Sequence, residues 1–72
     1  MSAVRKRSVI VAGHKTSVSL EEPFWEELAT IAAARGQSIS ALIGEIDHTR
    51  NGNLSSALRL LVLDDLRRRA DS

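Results

Sequence analysis

Cysteine is absent from this 72-residue sequence, and the only aromatic residues are Phe24 and Trp25. Without cysteine, neither a disulfide framework nor a zinc site with thiolate ligands can form. With only two aromatic rings, the interior must be built mainly from aliphatic side chains. A single core of this size is only marginally sufficient for stability, and we therefore expect two copies of the chain to associate.

Long hydrophobic runs are also missing. No apolar stretch approaches the roughly 20 residues that a membrane-spanning helix requires. The apolar run near the N-terminus, Val9 to Ala12, is too short for the core of a signal peptide. We therefore expect a cytoplasmic protein that does not contact a membrane.

The sequence has few features of an enzyme. His14 and His48 lie in different segments, and neither is followed by a second metal ligand three or four residues later. There is no nucleophile turn and no glycine-rich phosphate-binding loop. We expect no metal site, no cofactor and no catalytic activity.

Charge is unevenly distributed along the chain, although the net charge is only +1. The segment before Ser17 carries Arg5, Lys6, Arg7 and Lys15 and no acidic residue. Acidic residues dominate the middle of the chain, and basic residues return in the C-terminal segment. A basic segment of this kind suits a polyanionic partner that approaches one face of the protein.

The clearest local pattern is an alternation that predicts a half-buried strand over residues 15–20. No second alternating strand follows it, so we expect it to pair with the same strand of a second copy. Its two faces are Thr16, Val18 and Leu20 on one side and Lys15, Ser17 and Ser19 on the other.

Residues 1–13 are predicted to form a basic and apolar N-terminal arm, separate from a domain over residues 14–70. The β-prone run that ends at Gly13 does not alternate. It could be an outer strand, an arm lying over the core, or a continuation of the ribbon beyond a glycine kink. Burial of Val9 and Val11 against helices is at least as plausible as contact with a ligand.

Three helices are predicted, over about 22–35, 39–48 and 54–69, with Gly36, Ser38 and Asn53 or Ser55 as capping residues. In the first, Phe24, Leu28, Ile31 and Ala32 form the buried stripe, and Trp25 lies beside it. The apolar arc of the third helix is too wide for one contact, because Leu60, Leu63 and Leu66 extend it. This width again favours burial between two chains.

Strand, helix, Gly-x-Ser turn and helix in this order resemble the ribbon-helix-helix family of DNA-binding proteins. The resemblance rests on Lys15 to Leu20, on the helix containing Phe24, Leu28 and Ile31, and on Gly36 to Ile43. The N-terminal and C-terminal segments further resemble a bacterial subgroup with a longer N-terminus and an extra helix. The implied fold is mainly α with one short strand, an obligate homodimer with an intermolecular two-stranded antiparallel ribbon.

The resemblance also implies site residues. The ribbon would enter the major groove, where Lys15, Ser17 and Ser19 contact base edges. Contacts to phosphates would come from Arg5, Lys6 and Arg7 in the arm and from Ser38, Ile39 and Ser40 at the start of the second helix. The expected dimer core consists of Thr16, Val18, Leu20, Phe24, Leu28, Ile31, Leu42, Ile43, Ile46, Leu58 and Leu61.

We therefore predict a sequence-specific protein that binds double-stranded DNA, acting as a homodimer and regulating transcription as a repressor. The alternative is a dimerisation or protein-interaction module, similar to an antitoxin or an adaptor, with weak DNA binding. In either case the C-terminal helix could bind another protein.

Overall fold

The structure is a computed structural model that describes residues 3–11, 13–49 and 52–71. Two strands are followed by three helices: β1 (Val4–Val11), β2 (His14–Glu21), α1 (Glu22–Ala34), α2 (Ile39–Thr49) and α3 (Leu54–Asp71). The helices begin and end within two residues of the predicted bounds, and β2 contains the predicted strand.

The strands form an antiparallel hairpin within the chain. Pairing runs from Val4 opposite Glu21 to Val11 opposite His14, and the connection includes Gly13 with φ +80°, a backbone conformation that glycine adopts readily. The prediction of a single strand that pairs only with a second copy is therefore wrong. β2 already has a backbone partner in its own chain, so the hydrogen-bonding groups along that edge need no other.

Residues 4–11 form an outer strand, which is one of the three alternatives left open for the run that ends at Gly13, and not a separate arm. Residues 1, 2 and 12 lie outside the described residues. The alternation of β1 is concealed in the sequence for two reasons. Its inward row begins with Arg5 and Arg7, and its outward row contains the apolar Ile10. A pattern of apolar and polar residues with period two is therefore not visible.

The three helices pack against the inner face of this hairpin. Twelve buried apolar residues form the core: Val11, Val18, Leu20, Trp25, Leu28, Ile31, Ala32, Leu42, Ile43, Leu54, Leu58 and Val62. Of the residues expected in a dimer core, Thr16, Phe24, Ile46 and Leu61 are half-buried, and the other seven belong to this set. The burial of these seven side chains is achieved within one chain.

In α1 the buried aromatic residue is Trp25, which is 2% exposed, while Phe24 is half-buried. The sequence-based assignment of these two positions is reversed, because β1 covers the side of α1 on which Trp25 lies. Trp25, Leu28 and Ala32 then follow the i, i+3, i+7 spacing of one helix face. The contacts of Arg5 and Arg7 with Trp25 thus contribute to the burial of this face of α1.

The predicted helix caps are confirmed. Gly36 has φ +68°, and the amides of Gly36 and Gln37 donate to the carbonyl oxygens of Ala33 and Ala32 at 3.1 and 2.8 Å, which is the Schellman motif. The hydroxyl of Ser38 accepts from the amide of Ala41 at 3.0 Å. At the start of α3, it is the side chain of Asn53 that accepts, from the amide of Ser56 at 3.1 Å.

The described surface includes five exposed large apolar side chains: Val4, Ile10, Leu60, Leu63 and Leu66. The last three lie on α3, where the sequence shows an apolar arc too wide for one contact. Among the described helices, none combines the length and the apolarity needed to cross a membrane.

Candidate nucleic-acid interface

Residues directly opposite each other in an antiparallel pair lie on the same face of the sheet. Lys15 lies opposite Ile10, and Ser17 lies opposite Ser8. Ser19 lies opposite Lys6. We call this the outer face of the ribbon, which consists of Lys6, Ser8, Ile10, Lys15, Ser17 and Ser19.

The outer face is directed away from the helices, whereas the opposite face buries Val11, Val18 and Leu20. All of its side chains are exposed except that of Ser19, which is half-buried. Two ammonium groups and three hydroxyl groups can therefore donate hydrogen bonds to an external partner, and the hydroxyls can also accept them. Packing on the inner face fixes which side chains are presented.

The structure brings the three predicted base-contacting residues, Lys15, Ser17 and Ser19, onto this one face and adds residues that sequence reasoning missed. Lys6 was expected in a phosphate contact, and Ser8 and Ile10 were not assigned to the site. The signal was present in the similarity between Lys6–Val11 and Lys15–Leu20, which share lysine, serine and valine at the same spacing.

Arg5 and Arg7 lie on the inner side of β1, opposite the buried residues Leu20 and Val18 of β2. The Nε atom of Arg5 is 2.9 Å from one carboxylate oxygen of Glu22, and Arg7 donates to the other at 3.4 Å. The guanidinium of Arg7 also lies 4.9 Å from the centre of the Trp25 ring. These two arginines thus connect β1 to α1, and their predicted contact with phosphates stays a prediction.

The first turn of α2 lies beside β1, because Arg7 and Ile39 line the same cleft of about 160 Å³. The hydroxyl of Ser38 satisfies the amide of Ala41. The amides of Ile39 and Ser40 belong to the first turn, where a helix supplies no acceptor of its own. This turn has the geometry and the positive dipole end that favour an anion.

The end of the ribbon that leads into α1 carries a carboxylate, Glu21, which is matched by Arg59 of α3. Two guanidinium nitrogens of Arg59 donate to one oxygen of Glu21 at 2.9 and 3.0 Å. A hydrogen bond from the backbone of Glu21, and then the bond from Arg59, lower the pKa of this carboxyl below its usual value. The negative charge is therefore compensated beside the outer face.

Comparison with known proteins gives a family and one structural relative. The sequence profile of the ribbon-helix-helix domain matches residues 4–66, which include both strands, α1, α2 and most of α3. No curated protein matches the chain significantly.

A solved structure, that of an uncharacterized protein from Bordetella pertussis Tohama I, is similar to this chain with a TM-score of 0.83 and 32% sequence identity. The similarity covers 97% of this chain but 61% of the length of that protein. Because the profile match extends over most of the chain and includes β1, the chain belongs to the ribbon-helix-helix domain family.

Proposed function

We propose that this protein binds double-stranded DNA by inserting the outer face of the ribbon into the major groove, and that it regulates transcription in this way. The major groove of B-DNA is wide enough for a two-stranded β-ribbon. The observation that carries the proposal is the face itself, where Lys6, Ser8, Lys15 and Ser17 are exposed together. Lysine donates to guanine O6 and N7, and serine hydroxyls suit either donors or acceptors on base edges.

Contacts to the DNA backbone would come from the first turn of α2. Its amides at Ile39 and Ser40 require no side-chain charge to bind a phosphate, since the helix dipole favours a negative group there. Arg7 lies beside this turn and can add a positive charge. Contacts of this kind position a protein on the duplex, while the ribbon supplies the sequence preference.

We also propose that two copies associate, as the family resemblance implies, but through a surface other than the predicted interchain ribbon. Seven of the eleven predicted interface residues are already buried within one chain. Leu60, Leu63 and Leu66 are 65%, 47% and 41% exposed and follow each other at intervals of three along α3. Packing of this ridge against its copy would remove these side chains from water.

The same ridge favours a second candidate function, a protein-interaction module that uses α3 to bind another protein. The two functions differ in which surface is essential. DNA binding depends on Lys15 and the rest of the outer face, whereas an interaction module depends on the α3 leucines and tolerates changes on the ribbon. In both cases we propose a binding role and no catalysis.

The proposal is tested by titrating the full chain with a random-sequence duplex at roughly 50 and 200 mM salt and measuring fluorescence anisotropy. We expect binding at the lower salt concentration and a marked loss of affinity at the higher one, because neutralised phosphates release counterions. Absence of binding at low salt would contradict the proposed function and favour the interaction module.

A further inference from the structure

The two strands of the ribbon carry an internal repeat. Lys6–Val11 and Lys15–Leu20 both have the pattern lysine, any residue, serine, valine, any residue, aliphatic, and the second copy follows the first by nine residues. The register pairs Ser8 directly with Ser17. Because the strands are antiparallel, rotation by 180° about an axis between these two serines places each residue of β1 on the residue nine positions later in β2. The two segments are therefore related by an approximate twofold axis.

This axis gives the outer face an approximately symmetric arrangement. Lys6 and Lys15 lie on different strands, each two residues from the central serine of its own strand. The pair that contains Lys6 and the pair that contains Lys15 are four residues apart along the ribbon. With a rise of about 3.4 Å per residue and a strand spacing of about 4.8 Å, the Cα atoms of the two lysines lie roughly 14 Å apart. Two equivalent lysines therefore flank a central pair of hydroxyls.

The symmetry is broken at one pair of equivalent outward positions. Ile10, opposite Lys15, is 59% exposed, and the equivalent position on β2 is Ser19, opposite Lys6. One end of the outer face consequently presents an ammonium beside an apolar side chain, and the other an ammonium beside a hydroxyl. An exposed isoleucine next to a lysine has no role in the core, which lies on the opposite face.

We infer that β1 takes the place that a second chain's strand would occupy, so that one chain presents a complete and directional reading face. This inference rests on the proposed DNA binding. Lys6 and Lys15 contact guanines in the two halves of an imperfect palindrome, roughly four base pairs apart. Ile10 contacts the methyl group of a thymine in the half that Lys15 reads, and Ser19 makes no such contact in the other half.

Selection of preferred duplexes from a random pool, followed by affinity measurements with the full chain, tests this assignment. Replacement of the thymine by uracil removes only the methyl group. We expect this change to weaken binding about threefold to fivefold in one half of the site, the loss expected for one apolar contact of methyl size. The same change in the other half should have no effect.

Two variants complete the test. Ile10→Ser makes the outward residues of the two strands alike and should abolish both the difference between the halves and the sensitivity to uracil. Ser19→Ile should extend that sensitivity to both halves. Neither position lies in the buried core, and the fold is verified by circular dichroism.

Lys6→Ala provides the direct comparison with Lys15→Ala. If β1 reads DNA, each variant loses the guanine preference in a different half, while Lys6→Arg retains it. Loss of preference with Lys15→Ala but not with Lys6→Ala would overturn the inference and leave the proposed function standing. If the unmodified chain bound no duplex at all, the proposed function would fail, and this inference with it.

Discussion

The indole nitrogen of Trp25 donates a hydrogen bond to the backbone carbonyl oxygen of Arg5 at a distance of 3.1 Å. This bond joins α1 to β1 across 20 positions of sequence. The guanidinium of Arg7 lies over the same ring. A single buried side chain thus attaches the basic end of the first strand to the helical layer, and the position of the outer face depends on this attachment.

Replacement of Trp25 by phenylalanine tests the attachment. We expect Trp25→Phe to lower the free energy of unfolding by about 1 to 2 kcal/mol, because it removes one hydrogen bond and part of a buried ring. Urea denaturation measures this change. Relative to the natural chain, the variant should show a larger acceleration of amide hydrogen exchange in β1 than in α2. Phe24→Leu is the control, since Phe24 is half-buried. An equal or larger effect of that control would contradict the account.

Acid sensitivity is predicted for the pair formed by Glu21 and Arg59. Because the pKa of folded Glu21 is lowered from 4.5, ionised Glu21 stabilises the fold above that pH, and this contribution is lost as the pH falls through the lowered value. Urea denaturation of the natural chain and of Glu21→Gln should therefore show a difference in stability at pH 7 that shrinks below about pH 4.5. A difference that stays constant down to pH 3 would show that the carboxylate is not the stabilising group.

The glycines at positions 44 and 36 should respond oppositely to alanine. A Cβ added at Gly44 would lie 3.8 Å from a methyl carbon of Val11, an ordinary contact distance, so Gly44→Ala should raise stability by up to about 1 kcal/mol through helix propensity. Gly36 has φ +68°, and Gly36→Ala should lower stability by about 1 kcal/mol or more. Thermal denaturation measures both, and destabilisation by Gly44→Ala would show that β1 packs more tightly on α2 than described.

The leucine ridge on α3 should control association without changing DNA sequence preference. We expect the double variant Leu60→Gln, Leu63→Gln to sediment as a monomer at micromolar concentration, while Val4→Gln, which removes an exposed apolar side chain from the ribbon, leaves association unchanged. The monomer should bind DNA more weakly because one contact site replaces two. The monomeric variant should prefer the same bases as the natural chain. A changed base preference would contradict the inference that one chain contains the whole reading face.

Much of the helical layer could be predicted from the sequence because its signals are local. Gly36 and Ser38 delimit α1 and α2 through capping chemistry that involves neighbouring residues only. The alternation of β2 likewise follows from its burial on one face. For such elements, the pattern and its physical cause lie within one segment.

The first strand could not be predicted in this way because its pattern depends on distant partners. Arg5 and Arg7 lie on the inward row, where their side chains stay 66% and 46% exposed. Their partners, Glu22 and Trp25, lie far along the chain. Ile10 is tolerated on the outward row because that face is not part of the core. The same dependence on tertiary structure reversed the assignment of Phe24 and Trp25, and it concealed Ser8 and Ile10 as candidate site residues.

The most direct test of the account compares duplex affinity between an outer-face variant and a charge-matched control. The double variant Lys15→Ala, Ser17→Ala removes one positive charge from the ribbon. The control, Arg67→Ala, removes one positive charge from the C-terminal part of α3. Circular dichroism and sedimentation verify the fold and the assembly of both variants. We expect the ribbon variant to bind the selected duplex at least about tenfold more weakly, given about 1 to 3 kcal/mol per good base contact, and the control to change little. Equal affinities for the two variants would contradict the assignment of the outer face as the DNA-reading surface.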